Sequence, residues 1–174
     1  MDFVTIDVET ANNECDSICQ IGIACYKDNK LVDEWVSLID PEGEFLYYNT
    51  RIHGIKQSDV INSPKFSEVA NEVYKYLDNQ IVVSHTNFDK GAINNVCKKY
   101  GLRAPNCQWL DSTKVVRKTW PQFSKSGYGL DNMCEFLEFE FGHHDALEDA
   151  KACGFIMLSA IQKLNKKITD WLNN

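Results

Sequence analysis

The run Phe3-Val4-Thr5-Ile6-Asp7-Val8-Glu9-Thr10 constrains the fold of this chain more than any other stretch. Val4, Ile6 and Val8 alternate with Thr5, Asp7 and Glu9, the period of a strand whose side chains point to opposite faces in turn. The run reads as a buried strand that carries two carboxylates on one face. Asp7 and Glu9 then lie roughly 7 Å apart, at ~3.3 Å of rise per residue. Two ionised carboxylates on so apolar a strand desolvate and repel each other. A divalent cation between them removes both costs. An edge strand with one wetted face accounts for the same pattern, so the remaining sequence has to decide.

Cys19 to Tyr26 and Leu31 to Ile39 read as two further strands, joined as a hairpin through Lys27-Asp28-Asn29-Lys30. Asp40-Pro41-Glu42-Gly43 ends the second, and the segment up to Pro64 reads as loop with a short helix. Phe66, Val69, Ala70, Val73 and Leu77 recur at helical spacing, and Ile81-Val82-Val83 is a short buried strand. A helix is predicted from about Lys90 to Tyr100, with Gly101 as its stop. A short strand over Cys107 to Leu110 follows, then helices over Thr113 to Trp120 and Leu130 to Phe136. The last helix runs from Asp145 to Leu164. Three antiparallel strands followed by alternating helix and strand predict an α/β fold, a mixed five-stranded sheet flanked by helices.

With 174 residues, no repeat and no linker, a single domain over residues 1–174 is expected. The first strand begins almost at Met1, which leaves no room for a signal peptide. No apolar run has membrane-spanning length. The seven cysteines are odd in number and scattered without a Cys-x-x-Cys pair, which favours reduced thiols and a cytoplasmic protein over disulfides or structural zinc. The net charge of −7 argues against broad nonspecific binding to duplexes. It leaves a nucleic-acid enzyme open, because charges more than about 8 Å apart are screened at physiological salt.

Two more places supply acidic groups. Asp89 follows the strand at Ile81 to Val83, and His144-Asp145-Ala146-Leu147-Glu148-Asp149 opens the last helix. Taken singly, Asp89 reads as a helix cap, Asp149 as a surface acid in a first turn, and His143-His144 as a solvated pair. Taken together, Asp7, Glu9, Asp89 and Asp149 offer the oxygen ligands that suit Mg²⁺ or Mn²⁺. Two such ions about 4 Å apart can clamp the attacking and leaving oxygens of a phosphodiester. A histidine on the adjoining loop can accept the proton of the attacking water.

In order and in combination, Asp7-Val8-Glu9-Thr10, His85 to Asp89 and His144 to Asp149 resemble the three motifs of the DEDDh 3′→5′ exonucleases, relatives of the proofreading epsilon subunit of bacterial DNA polymerase. Ile52-His53-Gly54-Ile55 and Tyr128-Gly129-Leu130 are similar to further segments of that family. The run His85-Thr86-Asn87-Phe88-Asp89 is one residue shorter than the family's usual middle motif, which puts any role of His85 or Asn87 in doubt. Phe88 is read as a core residue beneath the site.

The resemblance implies a ribonuclease H-like fold and two Mg²⁺ ions, with Mn²⁺ as substitute. Asp7, Glu9, Asp89 and Asp149 would be the ligands and His144, not His143, the general base. Thr10, His53 and Tyr48 would contact the terminal nucleotide, although a turn histidine fixed by Gly54 explains His53 as well. The partner is then single-stranded DNA or RNA with a free 3′ end, and a polymerase or repair complex beyond it. Lys114, Arg117, Lys118, Trp120 and Lys125 are a candidate track for the strand, against the plainer reading of a solvated helix face. An RNA-trimming enzyme, or a nuclease-fold module that only binds, are the alternatives.

Overall fold

The computed structural model describes residues 2–172. Five strands, β1 (Phe3–Thr10), β2 (Ile18–Lys27), β3 (Lys30–Leu38), β4 (Ile81–Ser84) and β5 (Gln108–Asp111), form one sheet in the order β3-β2-β1-β4-β5. The first three are antiparallel, and β4 and β5 run parallel to β1. Asp28 and Asn29 turn the β2–β3 hairpin with φ of 51° and 61°, the left-handed pair that a two-residue turn needs to match strand twist. Among the described residues seven α-helices surround the sheet: α1 (Tyr47–His53), α2 (Gln57–Val60), α3 (Phe66–Leu77), α4 (Phe88–Lys99), α5 (Ser112–Thr119), α6 (Leu130–Phe136) and α7 (Ala146–Leu164).

Strand alternation divides the core between the two faces. Val4, Ile6 and Val8 of β1 pack with Ile21, Ile23, Phe66, Val73 and Ile93 on the side of α3 and α4. Phe3, Ala24, Tyr26 and Val83 pack on the other side with Val116, Met133, Cys153 and Ile156 of α5, α6 and α7. Asp7 and Glu9 share the strand face of Phe3 and so look toward α7.

The mixed five-stranded sheet, its antiparallel start and its flanking helices agree with the expectation. Trp120 does not. It is 2% exposed and belongs to the core on the α7 side, so it offers no ring to a passing strand. Helix α5 buries Val115, Val116 and Thr119, and Trp120 closes that inward face while Lys114, Arg117 and Lys118 stay outside. The segment before Pro64 holds two short helices, not one. Helix α4 starts at Phe88, two residues earlier than expected, which draws Asp89 into its first turn.

Helix α7 lies close on the sheet because small residues line its inner face. A Cβ on Gly154 would stand 2.2 Å from the Cζ and hydroxyl of Tyr26. That ring has no room to swing: it is buried, stacked on Phe3 at 4.8 Å, and its hydroxyl donates to the Lys151 carbonyl at 3.3 Å. Gly154→Ala is therefore expected to destabilise by about 2–3 kcal/mol, the usual effect of overpacking. At ~2–4 °C per kcal/mol for a chain of this size, thermal melting should register the loss, and an unchanged Tm would contradict the packing.

Candidate active site

The site forms where the parallel strands end. The pairing of β1 with β4 covers Val4↔Val82 and Thr5↔Val83. Beyond it the Val8 amide needs another acceptor, and it donates to Asp89 Oδ1 at 3.0 Å. One hydrogen bond thus fixes the first turn of α4 against β1 and sets Asp89 beside Asp7 and Glu9. Asp89 is not the helix cap; Asn87 holds that position. Clefts at the carboxyl ends of parallel strands are the usual ligand sites of open α/β sheets.

Asp149 reaches the cluster from the first turn of α7. Asp145 caps this helix, its Oδ1 accepting from the amides of Leu147 and Glu148 at 3.1 and 3.2 Å. His144, just before the cap, has φ 63°, a left-handed conformation. Its own amide donates to Asp149 Oδ2 at 3.1 Å, which bends the loop back over the helix start. Ligand atoms of Glu9, His144 and Asp149 all lie within 4.8 Å of one another, a group that can hold a metal ion.

Burial raises the Asp7 carboxyl well above the ordinary carboxylate range, and the charges of Asp89, Asp149, Glu9 and Asp145 add to the effect. Glu9 is pushed up to about 8 by burial first and then by Asp149, Asp89 and Asp145. Burial also lifts Asp89 to about 7, against hydrogen bonds from its own amide and that of Val8, which lower it. Asp149 rises to about 6 for the same reason, moderated by the His144 amide and the charge of His143. The charges acting most strongly on Asp7 and Glu9 are all carboxylates, so the protein provides negative charge here and little to balance it.

That imbalance has a sign. A carboxyl whose native value is raised keeps a proton that the unfolded chain has released. Stability from this cluster is therefore greatest below about pH 4 and falls as the pH rises toward 8. Without divalent metal, wild-type Tm is expected to fall between pH 5 and 8 more steeply than that of Asp7→Asn. Mg²⁺ or Mn²⁺ at 100 times its Kd at pH 5 would add about 2.7 kcal/mol there, or about 5–10 °C. The same concentration would add more at higher pH, where the ionised acids bind it more tightly. Parallel pH slopes for the two proteins, with and without metal, would contradict this.

The remaining sequence candidates divide. The Thr10 carbonyl anchors α1, accepting from Asn49 Nδ2 at 3.0 Å and from His53 Nε2 at 3.2 Å. His53 Nδ1 accepts the Ile55 amide at 3.1 Å, so Nε2 carries the proton of a neutral ring. Burial lowers its pKa, which keeps that form. Both ring nitrogens are thus engaged with backbone, the turn role that sequence alone left open, and a nucleotide would meet the ring through its face. Tyr48 stands on the same short helix, 72% exposed. Phe88 is 45% exposed, a correction to its reading as core: it opens α4 on the outside of the turn that aims Asp89 inward.

Two residues that sequence reasoning passed over or left in doubt have clear places. His85 is turned away from the acids. Its Nδ1 meets Ser112 Oγ at 2.8 Å and its Nε2 meets the Tyr128 carbonyl at 2.9 Å, which ties the end of β4 to α5 and to the loop before α6. The short run that follows is closed by Thr86 at φ 136°, a strained backbone of the kind that collects near functional sites. Its carbonyl is held by Ser84 Oγ at 2.6 Å. Gln20, on β2 opposite Glu9, reaches the start of α7.

The sequence matches the RNase T exonuclease family over residues 4–157. The chain belongs to this exonuclease family. It is 32% identical over 169 residues to DNA polymerase III PolC-type of Caldanaerobacter subterraneus subsp. tengcongensis, taking in 95% of this chain and 12% of that protein. It is 31% identical over 169 residues to 3′-5′ exonuclease DinG of Bacillus subtilis, taking in 94% of this chain and 18% of that protein. The chain thus spans between 12% and 18% of the length of these relatives. Its fold is shared with Exonuclease X, solved in complex with 5′ overhanging duplex DNA: TM-score 0.81, 19% identity, 98% of each chain. It is shared also with the nuclease domain of 3′hExo, a DEDDh family member bound to rAMP: TM-score 0.78, 18% identity, 92% and 91% of the two chains. Among the described residues no helix is long and apolar enough to cross a membrane.

Proposed function

We propose that residues 1–174 act as one metal-dependent 3′→5′ exonuclease unit. It would hydrolyse the last phosphodiester of single-stranded DNA or RNA and release nucleoside 5′-monophosphates. The observation that carries this reading is that ligand atoms of Glu9, His144 and Asp149 lie within 4.8 Å of one another, with Asp7 and Asp89 buried in the same field of carboxylates. The donor set fits a hard divalent ion: carboxylate oxygens, raised by burial and mutual repulsion, beside one imidazole. The four acids would hold two Mg²⁺ or Mn²⁺ ions. When bound, these would supply positive charge to the scissile phosphate.

The chain's own groups do the rest. His144 accepts the proton of the attacking water as the new P–O bond forms. The bond from phosphorus to the 3′ oxygen of the penultimate nucleotide breaks, that oxygen takes a proton from solvent to become the new 3′ hydroxyl, and the terminal nucleotide departs with the phosphate. Asp149 orients His144 through its amide. Thr10, His53 and Tyr48 would contact the terminal nucleotide. The PolC-type and DinG relatives support the class of reaction, and the former supports a polymerase as working partner.

The test uses 5′-labelled single-stranded DNA, duplex DNA and short RNA, with products resolved by length. A ladder shortening from the 3′ end is expected with Mg²⁺ or Mn²⁺ and not with EDTA. Immediate release of the labelled 5′ nucleotide, cleavage of a closed circle, or full activity in EDTA would each overturn the proposal. Nucleotide binding without turnover on any of the three substrates would replace it with a binding module.

A further inference from the structure

The two acids of β1 stand opposite two residues of β2 that are neither metal ligands nor nucleotide contacts in the proposed reaction. Asp7 pairs with Gly22, and Glu9 with Gln20. Both β2 residues receive the start of α7. A Cβ on Gly22 would lie 2.2 Å from the carbonyl group of Ala146 and from the Leu147 nitrogen, so only a glycine lets the helix end come down on the strand there. Gln20 is buried, and its amide spans the helix cap. Nε2 donates to Asp145 Oδ2 at 3.1 Å, and Oε1 accepts from the Ala146 amide at 3.1 Å. The Ala146 amide can only donate, which fixes the orientation of the Gln20 side chain.

With Asp145 Oδ1 already accepting from Leu147 and Glu148, both carboxylate oxygens of Asp145 are committed. Asp89 and Asp149, by contrast, each accept one backbone amide through a single carboxylate oxygen. The clasp on Asp145 and Ala146 begins one residue after His144 and ends three before Asp149, the pair joined by their own hydrogen bond.

We infer that Gln20 is a positioning residue: its clasp on Asp145 and Ala146 sets His144 and Asp149 against Asp7 and Glu9. A misplacement of about 1 Å at reacting groups can cost ~10²-fold in rate. Among the described residues, Gln20 is the side chain that joins β2 to this helix cap through both its carboxylate and its backbone. The inference rests on the proposed nuclease reading for its catalytic readout, but the clasp itself is measurable without turnover.

The experiment compares wild type, Gln20→Ala, Gln20→Glu, and the double variant Gln20→Glu/Asp145→Asn. In Gln20→Ala, kcat should fall roughly 10- to 100-fold with KM within about threefold, at a temperature where circular dichroism shows the protein folded. Mn²⁺ affinity should weaken several-fold, and the Ala146 amide should exchange with solvent at least about tenfold faster, because it loses its acceptor. Gln20→Glu places a second carboxylate against Asp145 and should be at least as impaired. The double variant reverses the donor and acceptor: the new amide at 145 still caps the helix, since Asn caps as well as Asp, and donates to the new carboxylate at 20. It should regain kcat and Mn²⁺ affinity to within about threefold of wild type.

A purely structural glutamine would lower Tm and leave kcat of the folded protein unchanged, and that result would overturn the inference. So would a double variant no better than Gln20→Glu. If Gln20→Ala does not fold, the single and double Gln20→Glu variants decide. Should wild type release no nucleotide, the proposed function fails while Ala146 exchange and Mn²⁺ affinity still judge the clasp.

Discussion

Asp7→Asn is expected to lower nucleotide release by at least about 10³-fold while leaving the metal-free protein as stable as wild type or more so. The two halves of this result have one cause. Asp7 faces α7 in the midst of the cluster, and burial together with four nearby carboxylates holds its own carboxyl up. An amide of the same shape carries no charge to desolvate or repel, so the metal-free fold loses a source of strain. In the proposed reaction the substitution also removes one metal ligand, and electrostatic stabilisation of the scissile phosphate is usually the largest part of such catalysis. Activity measured with saturating Mn²⁺ beside Tm in EDTA separates the effects. Near pH 8 the metal-free variant should melt higher than wild type, and near pH 5 the two should converge, because at the lower pH the wild-type cluster is mostly protonated. Loss of activity with a large loss of metal-free stability would make Asp7 a structural group. Retained activity would remove it from the metal site.

Much of this arrangement can be read before folding, for physical reasons that differ from residue to residue. The period of two in β1 puts Asp7 and Glu9 on one face whatever the partners of the strand. Asp145 announces a helix cap, and its position fixes His144 outside the helix and Asp149 within the first turn. Such local rules need only a few neighbouring residues. Phe88 shows where they stop: Phe-Asp at a helix start contains nothing to say which residue turns inward, and the core reading fails because Asp89, not Phe88, bonds to β1. Trp120 fails as a surface platform because an amphipathic helix carries it onto the buried side. His85 and Gln20 lie beyond local reading altogether. His85 bonds to groups 27 and 43 residues away, and Gln20 to a carboxylate 125 residues away. A single polar residue inside Ile18-Cys19-Gln20-Ile21 was the available signal, since a buried amide must find partners.

The second large effect is expected from His144→Ala, which distinguishes three roles for the imidazole beside the acids. As general base, His144 takes a proton from water and binds nothing tightly. Its removal should lower kcat roughly 10²–10⁴-fold, the usual worth of acid–base assistance, with nucleotide and Mn²⁺ affinity changed by no more than a few-fold. As metal ligand, a role its closeness to Glu9 and Asp149 also permits, it would instead show first in Mn²⁺ affinity. As a mere loop residue it would change neither. The backbone amide that donates to Asp149 survives the substitution, but alanine is less at ease than histidine at φ 63°. His144→Asn, which tolerates that conformation and cannot act as a base, is therefore the better control and should lose kcat to the same degree. His143 faces another way, its Nδ1 on Asp131 Oδ1 at 2.8 Å and its ring against Phe141. His143→Ala should accordingly keep most of kcat. Wild-type kcat in both His144 variants at saturating metal and substrate would end the general-base reading, and a loss in His143→Ala equal to that in His144→Ala would move the role to the pair.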